Sequence, residues 1–334
     1  MSIDYRVLGE PYNDNALYIE IKPGQSVHRL LFDCGENCLD TVRPADIMAI
    51  DHLCFSHFHL DHVAGFDRFI RMNYNRETKP VRIWGPVHAP ELIRHRLQSI
   101  TWDRVENSPG EWIISGVGNH EIKARTLYTR DKFSEIHHPQ ELPAKSTIYS
   151  NEDYSIEATI LSHRSPSVAY RVTESSEFVI DKTGMDEMGL SGGPWAAQVK
   201  DLSVEANTEV HIGDRSYTVG ELRDKLLTEE QGQSIAYATD YVQDPATIAA
   251  LTEMIRGCNV FVSEATYNSR DADLAARHYH MTADQAAAIA RDADVNELVL
   301  LHFSKRYQEA GYESILADAR KIFPETKIPM QWSD

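Results

Sequence analysis

The chain alternates short apolar runs with turn residues, and only a few stretches carry the three-to-four-residue spacing of a helix. Segments 3–8, 16–21 and 28–32 read as strands, divided by turns at Pro11-Tyr12-Asn13-Asp14 and Lys22-Pro23-Gly24. Asp33-Cys34-Gly35-Glu36 ends the third strand, and a short helix follows. Segment 50–55 predicts a strand, and 63–70 the start of a helix. A strand over 81–84 precedes a helix opening near Ala89-Pro90-Glu91, with proline in the tolerated first turn. Strand patterns resume at 122–127, 147–149 and 154–161.

The second half repeats the theme. Segments 167–173 and 177–180 predict strands, and 234–240 an apolar strand ending in the carboxylate of Asp240. A helix over 245–255 leads to a strand over 259–263 that ends at Glu264. Thr282, with Gln285 three residues on, opens an alanine-rich helix to Ala293. Leu298-Val299-Leu300-Leu301 reads as a buried strand ending at His302, and a last helix over 312–322 stops before Pro324. Segment 181–232 is different. It holds Gly189-Leu190-Ser191-Gly192-Gly193-Pro194-Trp195 and few apolar strands, and reads as an insertion projecting from one core.

Chemistry concentrates at Ser56-His57-Phe58-His59-Leu60-Asp61-His62, three imidazoles and a carboxylate in a His-x-His-x-Asp-His pattern. Its place between strand and helix lets side chains converge on a loop. Neutral imidazole with carboxylate suits zinc and its borderline neighbours. His163, Asp240, Glu264 and His302 also follow strands. Strand ends gathered on one sheet edge are where α/β proteins build sites. Each of these residues alone reads as a cap or loop residue; together, after the His-rich loop, they read as one site.

Composition narrows the classes. With 334 residues and 42% hydrophobic positions the chain is long enough for a sizeable core. A net charge of −18 argues against holding nucleic acid by general basicity. Cys34, Cys38, Cys54 and Cys258 read as buried or free thiols of a cytoplasmic protein. No apolar run is long enough to cross a membrane, and Met1-Ser2-Ile3-Asp4 does not begin a signal peptide. His28, His52, His88, His95, His120, His137, His138, His211 and His278 match no ligand position, and His137-His138-Pro139 reads as a solvated loop.

Taken in order, these motifs resemble the metallo-β-lactamase superfamily and, within it, the ribonuclease Z branch. Phe32-Asp33-Cys34-Gly35-Glu36 is similar to the strand end before that branch's metal loop, and residues 56–65 to its SHxHxDHxxG motif. His163-Arg164-Ser165-Pro166-Ser167-Val168-Ala169-Tyr170-Arg171 resembles its HRxPSxGYR segment, with Ala169 for Gly. Tyr237-Ala238-Thr239-Asp240, Ser263-Glu264-Ala265-Thr266, His280-Met281-Thr282-Ala283 and His302-Phe303-Ser304-Lys305-Arg306-Tyr307 resemble its later motifs.

The resemblance implies an α/β fold: an αββα metallo-β-lactamase sandwich of two facing mixed β-sheets. Residues 1–334 would form a single domain, with an exosite-like arm inserted at about 181–232. By the same resemblance His57, His59 and His163 would hold one Zn2+ and Asp61, His62 and His302 a second. Asp240 would bridge them, with Mn2+ or Fe as alternative metals. A metal-bridged hydroxide would attack phosphorus, Asp61 acting as general base. The Glu264–His280 pair would protonate the leaving 3′-oxygen, since a carboxylate beside an imidazole raises its pKa and fixes its tautomer. Ser167, Tyr170 and Arg171 would touch substrate. Gly192, Gly193, Pro194 and Trp195 would belong to an arm gripping transfer RNA, and the branch is commonly homodimeric.

The chain departs from the branch in three places. Leu8-Gly9-Glu10-Pro11 stands where the family has an LGTG turn, and Ala64-Gly65-Phe66-Asp67-Arg68 where it has a PGL segment. Residues 175–232 carry twelve Asp and Glu against five Lys and Arg, although phosphate contacts come mainly from Lys and Arg. Two readings follow. One is a dinuclear zinc phosphodiesterase processing the 3′ end of precursor transfer RNA. The other keeps the core but takes a small substrate: a cyclic nucleotide, or a lactone or thioester. A metal-bound, non-enzymatic binding protein is the least favoured reading.

Overall fold

The computed structural model describes residues 3–24 and 26–332. Met1 and Ser2, half of the segment read as no signal peptide, lie outside the described residues. The chain builds an eight-stranded sheet first. Its strands are β1 (Ile3–Leu8), β2 (Ala16–Ile21), β3 (His28–Phe32), β4 (His52–Cys54), β5 (Val81–Pro86), β6 (Glu111–Val117), β7 (Glu121–Tyr128) and β8 (His137–Pro143), side by side in chain order. Strands β3 to β6 run parallel, and the pairs at either end are antiparallel. Helices α1 (Pro44–Met48), α2 (Leu60–Val63), α3 (Phe66–Asn73) and α4 (Ala89–Gln98) occupy the crossovers.

Period-two alternation decides which face each side chain serves. Val7, Leu17, Ile19, Leu30, Phe32, Cys54 and Trp84 enter the core shared with the second sheet. Their neighbours Leu8, Tyr18, Leu31, Leu53 and Ile83 enter a separate cluster with Ile47, Phe69, Ile70 and Ile93 of α1, α3 and α4. The first sheet is thus apolar on both faces, as a parallel region covered by helices must be.

The second sheet contains β9 (Thr147–Ser150), β10 (Tyr154–Leu161) and β11 (Ser167–Glu174). The chain then forms a separate compact unit over Glu174–Gly232. Within that unit β12 (Glu177–Ile180) leads to α5 (Lys182–Glu187), α6 (Trp195–Lys200), the hairpin β13 (Glu209–Ile212) and β14 (Arg215–Thr218), α7 (Val219–Leu226) and β15 (Leu227–Glu230). β12 pairs antiparallel with β15, so segment 177–180 belongs to the insertion. Its small core includes Leu190, Trp195, Val199, Leu222 and Leu226.

The chain completes the second sheet with β16 (Ser234–Ala238), α8 (Pro245–Ile255), β17 (Val260–Glu264), α9 (Ala272–His278), α10 (Ala283–Asp292), β18 (Glu297–Leu301), α11 (Glu313–Arg320) and β19 (Thr326–Lys327). Its order is β19-β18-β17-β16-β11-β10-β9, and β16 to β19 are parallel. Asp244 caps α8 by accepting from Ala246 N and Thr247 N, ahead of Pro245. The Thr282–Gln285 capping box opens α10. Two mixed sheets with helices packed against them make the expected αββα sandwich.

One sequence expectation fails here. His137-His138-Pro139 is no loop: it opens β8, the edge strand paired with β7. All of β8 after His137 is exposed, so no alternation marks it in the sequence.

Candidate metal centre

The carboxyl ends of β3, β4, β16, β17 and β18 deliver Asp33, the His57–His62 loop, Asp240, Glu264 and His302. Three of these, Asp33, Asp240 and His302, have φ of 60°, 53° and 59°. Non-glycine residues rarely hold the left-handed region, and such strain concentrates at functional sites. The loop itself is clamped to the turn after β3. Cys34 N donates to His62 O at 2.8 Å, and Gly65 N to Cys34 O at 2.9 Å. A Cβ at position 65 would stand 2.2 Å from Gly35 O, so only glycine lets the two turns meet.

Asp240 lies at the centre. Its Oδ2 is 3.6 Å from both His57 Nε2 and His163 Nε2. Its Oδ1 is 3.4 Å from His62 Nε2 and 3.5 Å from His302 Nε2. Asp61 Oδ2 is 3.5 Å from His62 Nε2 and 3.4 Å from His302 Nε2. Ligand atoms of His57, His59, His163 and Asp240 all lie within 4.8 Å of one another, as do those of Asp61, His62 and His302. Each oxygen of Asp240 therefore faces a different group of imidazoles.

The outer nitrogens of four rings are already engaged. His57 Nδ1 is 3.1 Å from Ser56 Oγ, His62 Nδ1 2.8 Å from Asp33 Oδ2, His163 Nδ1 2.9 Å from Tyr279 O and His302 Nδ1 3.1 Å from Thr266 Oγ1. In the neutral rings these partners place Nδ1–H outward and the Nε2 lone pair inward. His57 Nε2 and His62 Nε2 are buried without a hydrogen-bond partner. Burial holds His57 neutral, its pKa down at about 2. Orphaned, converging Nε2 atoms are what a cation needs; burial opposes charge on His62, but Asp33 and Asp240 outweigh it and push its pKa up, so a metal bound there displaces a proton. A tetrahedral ion with bonds of about 2.1 Å sets its ligands about 3.4 Å apart, which matches the spacings around Asp240. The residues present fit divalent metal.

Beside this cluster stands a second device. Glu264 is fully buried. Its Oε2 is 3.0 Å from His280 Nδ1 and accepts from Thr266 Oγ1 at 2.7 Å and Met281 N at 3.2 Å; its Oε1 accepts from Tyr241 N at 2.9 Å. Burial opposes charge on His280, but the Glu264 carboxylate outweighs it and pushes the pKa up to about 9. Thr266 joins this pair to His302. On the other side, a cleft of about 200 Å³ is lined by Tyr12, Asp61, His302, Phe303 and Lys305. The Tyr12 hydroxyl there is buried without a partner.

Asp33 is the site residue that sequence reasoning left without a role. Its carboxylate is wholly buried and accepts from Ser56 N and Ser56 Oγ, each at 2.7 Å, and from Tyr237 Oη at 2.8 Å, besides its contact with His62. Its position at a strand end was the available signal. Its partners, up to 204 residues away, left no local trace.

The structure brings Asp61, the six other predicted ligands, Glu264 and His280 together. It does not bring Ser167, Tyr170 or Arg171 to the open side. Ser167 and Tyr170 are wholly buried, their hydroxyls donating to Thr239 O and Phe55 O at 2.9 and 2.8 Å. Arg171 donates to the carbonyl of Met254 at 2.9 Å. These three brace the fold. In the insertion, Gly192, Gly193 and Pro194 are exposed. Trp195 is buried in that unit's own core and donates to Ser191 O at 3.0 Å.

Comparison with known proteins gives this geometry its relatives. The beta-lactamase superfamily domain matches residues 220–303. A ribonuclease Z of Deinococcus radiodurans is 36% identical over 326 residues, covering 98% of this chain and 97% of that protein. The metallo-beta-lactamase fold protein YhfI of Bacillus subtilis aligns with a TM-score of 0.56 at 13% identity, covering 98% of this chain and 95% of its own. The short form of human tRNase Z aligns with a TM-score of 0.52 at 17% identity, covering 98% and 96%. At such identities the two structures speak for the fold alone.

Proposed function

Because the chain belongs to the ribonuclease Z family of the metallo-β-lactamase superfamily, we propose that it cleaves RNA phosphodiesters, trimming precursor transfer RNA at the 3′ end. The observation that carries this reading is Asp240, whose two oxygens face two imidazole groups with inward Nε2 atoms. His57, His59, His163 and Asp240 would hold one Zn2+, and Asp61, His62, His302 and Asp240 the other. Bound there, the pair would supply Lewis acidity to a phosphoryl oxygen and a nucleophilic water at neutral pH.

The chain's own groups do the rest. The Asp61 side chain is 44% exposed, so one carboxylate oxygen is open to accept the proton of the attacking water. As the new P–O bond forms, the bond from phosphorus to the leaving 3′-oxygen breaks. Glu264 holds Nδ1 of His280 and leaves Nε2–H to protonate that 3′-oxygen. The products are a 3′-hydroxyl on the upstream RNA and a 5′-phosphate on the trailer.

The acid-rich insertion favours a second reading, a small phosphodiester such as a cyclic nucleotide, because it offers few cations to a phosphate backbone. One assay separates the two. Precursor transfer RNA, 3′,5′-cyclic AMP and a chromogenic phosphodiester are offered side by side to protein reloaded with Zn2+ after chelation. RNA cleavage at the 3′ boundary is the expected result. Turnover of the small esters with inert RNA would sink the RNA reading.

A further inference from the structure

Tyr279 is out of place by every ordinary rule. It follows α9 as its C-cap with φ 65° and ψ 40°, the left-handed conformation that glycine, or sometimes asparagine, usually supplies at a helix end. Its backbone is in use: the N–H caps the helix by donating to Ala275 O and Ala276 O, and the carbonyl meets His163 Nδ1 at 2.9 Å. Glycine would serve both contacts without the steric conflict. The chain nevertheless places a phenol there and leaves it 41% exposed. The guanidinium of Arg164, itself exposed, lies over the ring with its carbon 5.0 Å from the centroid. The ring meets the His163 imidazole edge-on, with 6.3 Å between the two centroids, and His280 is the next residue.

We infer that Tyr279 and Arg164 form a nucleobase subsite, stacking the base of the nucleoside whose 3′-oxygen leaves. This deepens the phosphodiesterase reading and rests on it for the identity of the leaving side. His280 is the proton donor in that reading, so the sugar bearing the leaving oxygen stands beside it, and its base meets the adjacent flat surface. Aromatic rings and guanidinium planes both accept unpaired bases. A cation over the ring also suits the neighbouring phosphate. Stacking is tolerant of sequence, so the subsite takes any base while demanding that one be present.

The test uses two RNA substrates, one intact and one with an abasic nucleotide just upstream of the cut. Base–aromatic stacking is worth roughly five- to a hundredfold in binding. The wild-type protein loses about that factor in kcat/KM on the abasic RNA. Tyr279→Gly loses it on the intact RNA and nothing more on the abasic one, while Tyr279→Phe stays within about twofold of wild type. The Tyr279→Gly thermal midpoint holds or rises, because glycine is at ease at this φ. An equal loss on both substrates would overturn the subsite. Calorimetric binding of adenosine 3′-monophosphate against ribose 3-phosphate keeps the readings apart. A protein inert on RNA that still needs Tyr279 to prefer the nucleotide refutes RNA processing and upholds the subsite. A protein active on RNA whose Tyr279→Gly variant retains that preference upholds processing and removes the subsite.

Discussion

Among the described residues, histidines and carboxylates gather around Asp240 and again at Asp131, Glu135 and His137, and the two clusters are built in opposite ways. Asp131, Glu135 and His137 offer ligand atoms within 4.8 Å of one another, just as the groups around Asp240 do. At the surface cluster, His137 Nε2 is spent on Asp131 Oδ2 at 2.7 Å, and the Glu135 side chain is 72% exposed. At the strand ends, hydrogen bonds take the outer nitrogens of four rings, and the inner Nε2 atoms of His57 and His62 are buried without a partner. Proximity is common to both clusters. Only one has spent buried polar groups on aiming its ligands, which costs stability unless a cation completes them.

That contrast can be broken in several places. The largest effect belongs to Asp240→Asn, which suits the left-handed backbone and keeps the shape but removes the charge shared by both imidazole groups. Phosphodiester kcat/KM should fall roughly a thousandfold, the scale of several kcal/mol of charge stabilisation, and bound metal measured by atomic emission should fall with it. Next comes Asp33→Asn, which touches no cation yet loosens His62. Its metal affinity, read by competition with a chelating dye, should weaken about ten- to a hundredfold. Retained affinity would show that Asp33 serves only the fold.

Glu264→Gln sharpens the reading of His280. The carboxylate raises the His280 pKa, so its removal lowers it. A general acid works only while protonated, and activity is lost as pH rises through its pKa. The alkaline limb of the pH–rate profile should therefore move to lower pH; an unmoved limb would exclude His280 as the acid. The smallest effect is expected at the other cluster. His137→Ala should leave metal content unchanged and shift stability within about 0.5 kcal/mol, as exposed substitutions do. A loss of metal there would erase the distinction between the clusters.

Much of the site was legible because its residues stand at the ends of short apolar runs. Strands 3–8, 16–21, 28–32 and 154–161 and helix 245–255 match the observed bounds. The candidate ligands stood out by one local motif and by strand ends, and the family resemblance assigned them to metals. What escaped was non-local or unpatterned. β8 is solvated along nearly its whole length, and its pairing with β7 is invisible to any hydrophobic count. Tyr170 and Arg171 sit in a motif that looks functional, but their side chains turn inward to backbone carbonyls of Phe55 and Met254. Asp33 read only as the end of a strand, because nothing nearby reveals its four contacts.

The two tyrosines that cross from the second sheet to the metal loop bear on how the molecule assembles. Tyr170 reaches Phe55 O across 115 residues of chain, and Tyr237 reaches Asp33 across 204. Contacts of such separation form late, after the entropy of closing long loops has been met. The His57–His62 loop is therefore not held in its final shape until both halves of the chain have docked. Cations present during refolding should leave the rate of folding unchanged and slow unfolding instead, which makes metal a latch on the finished sandwich and no template for it.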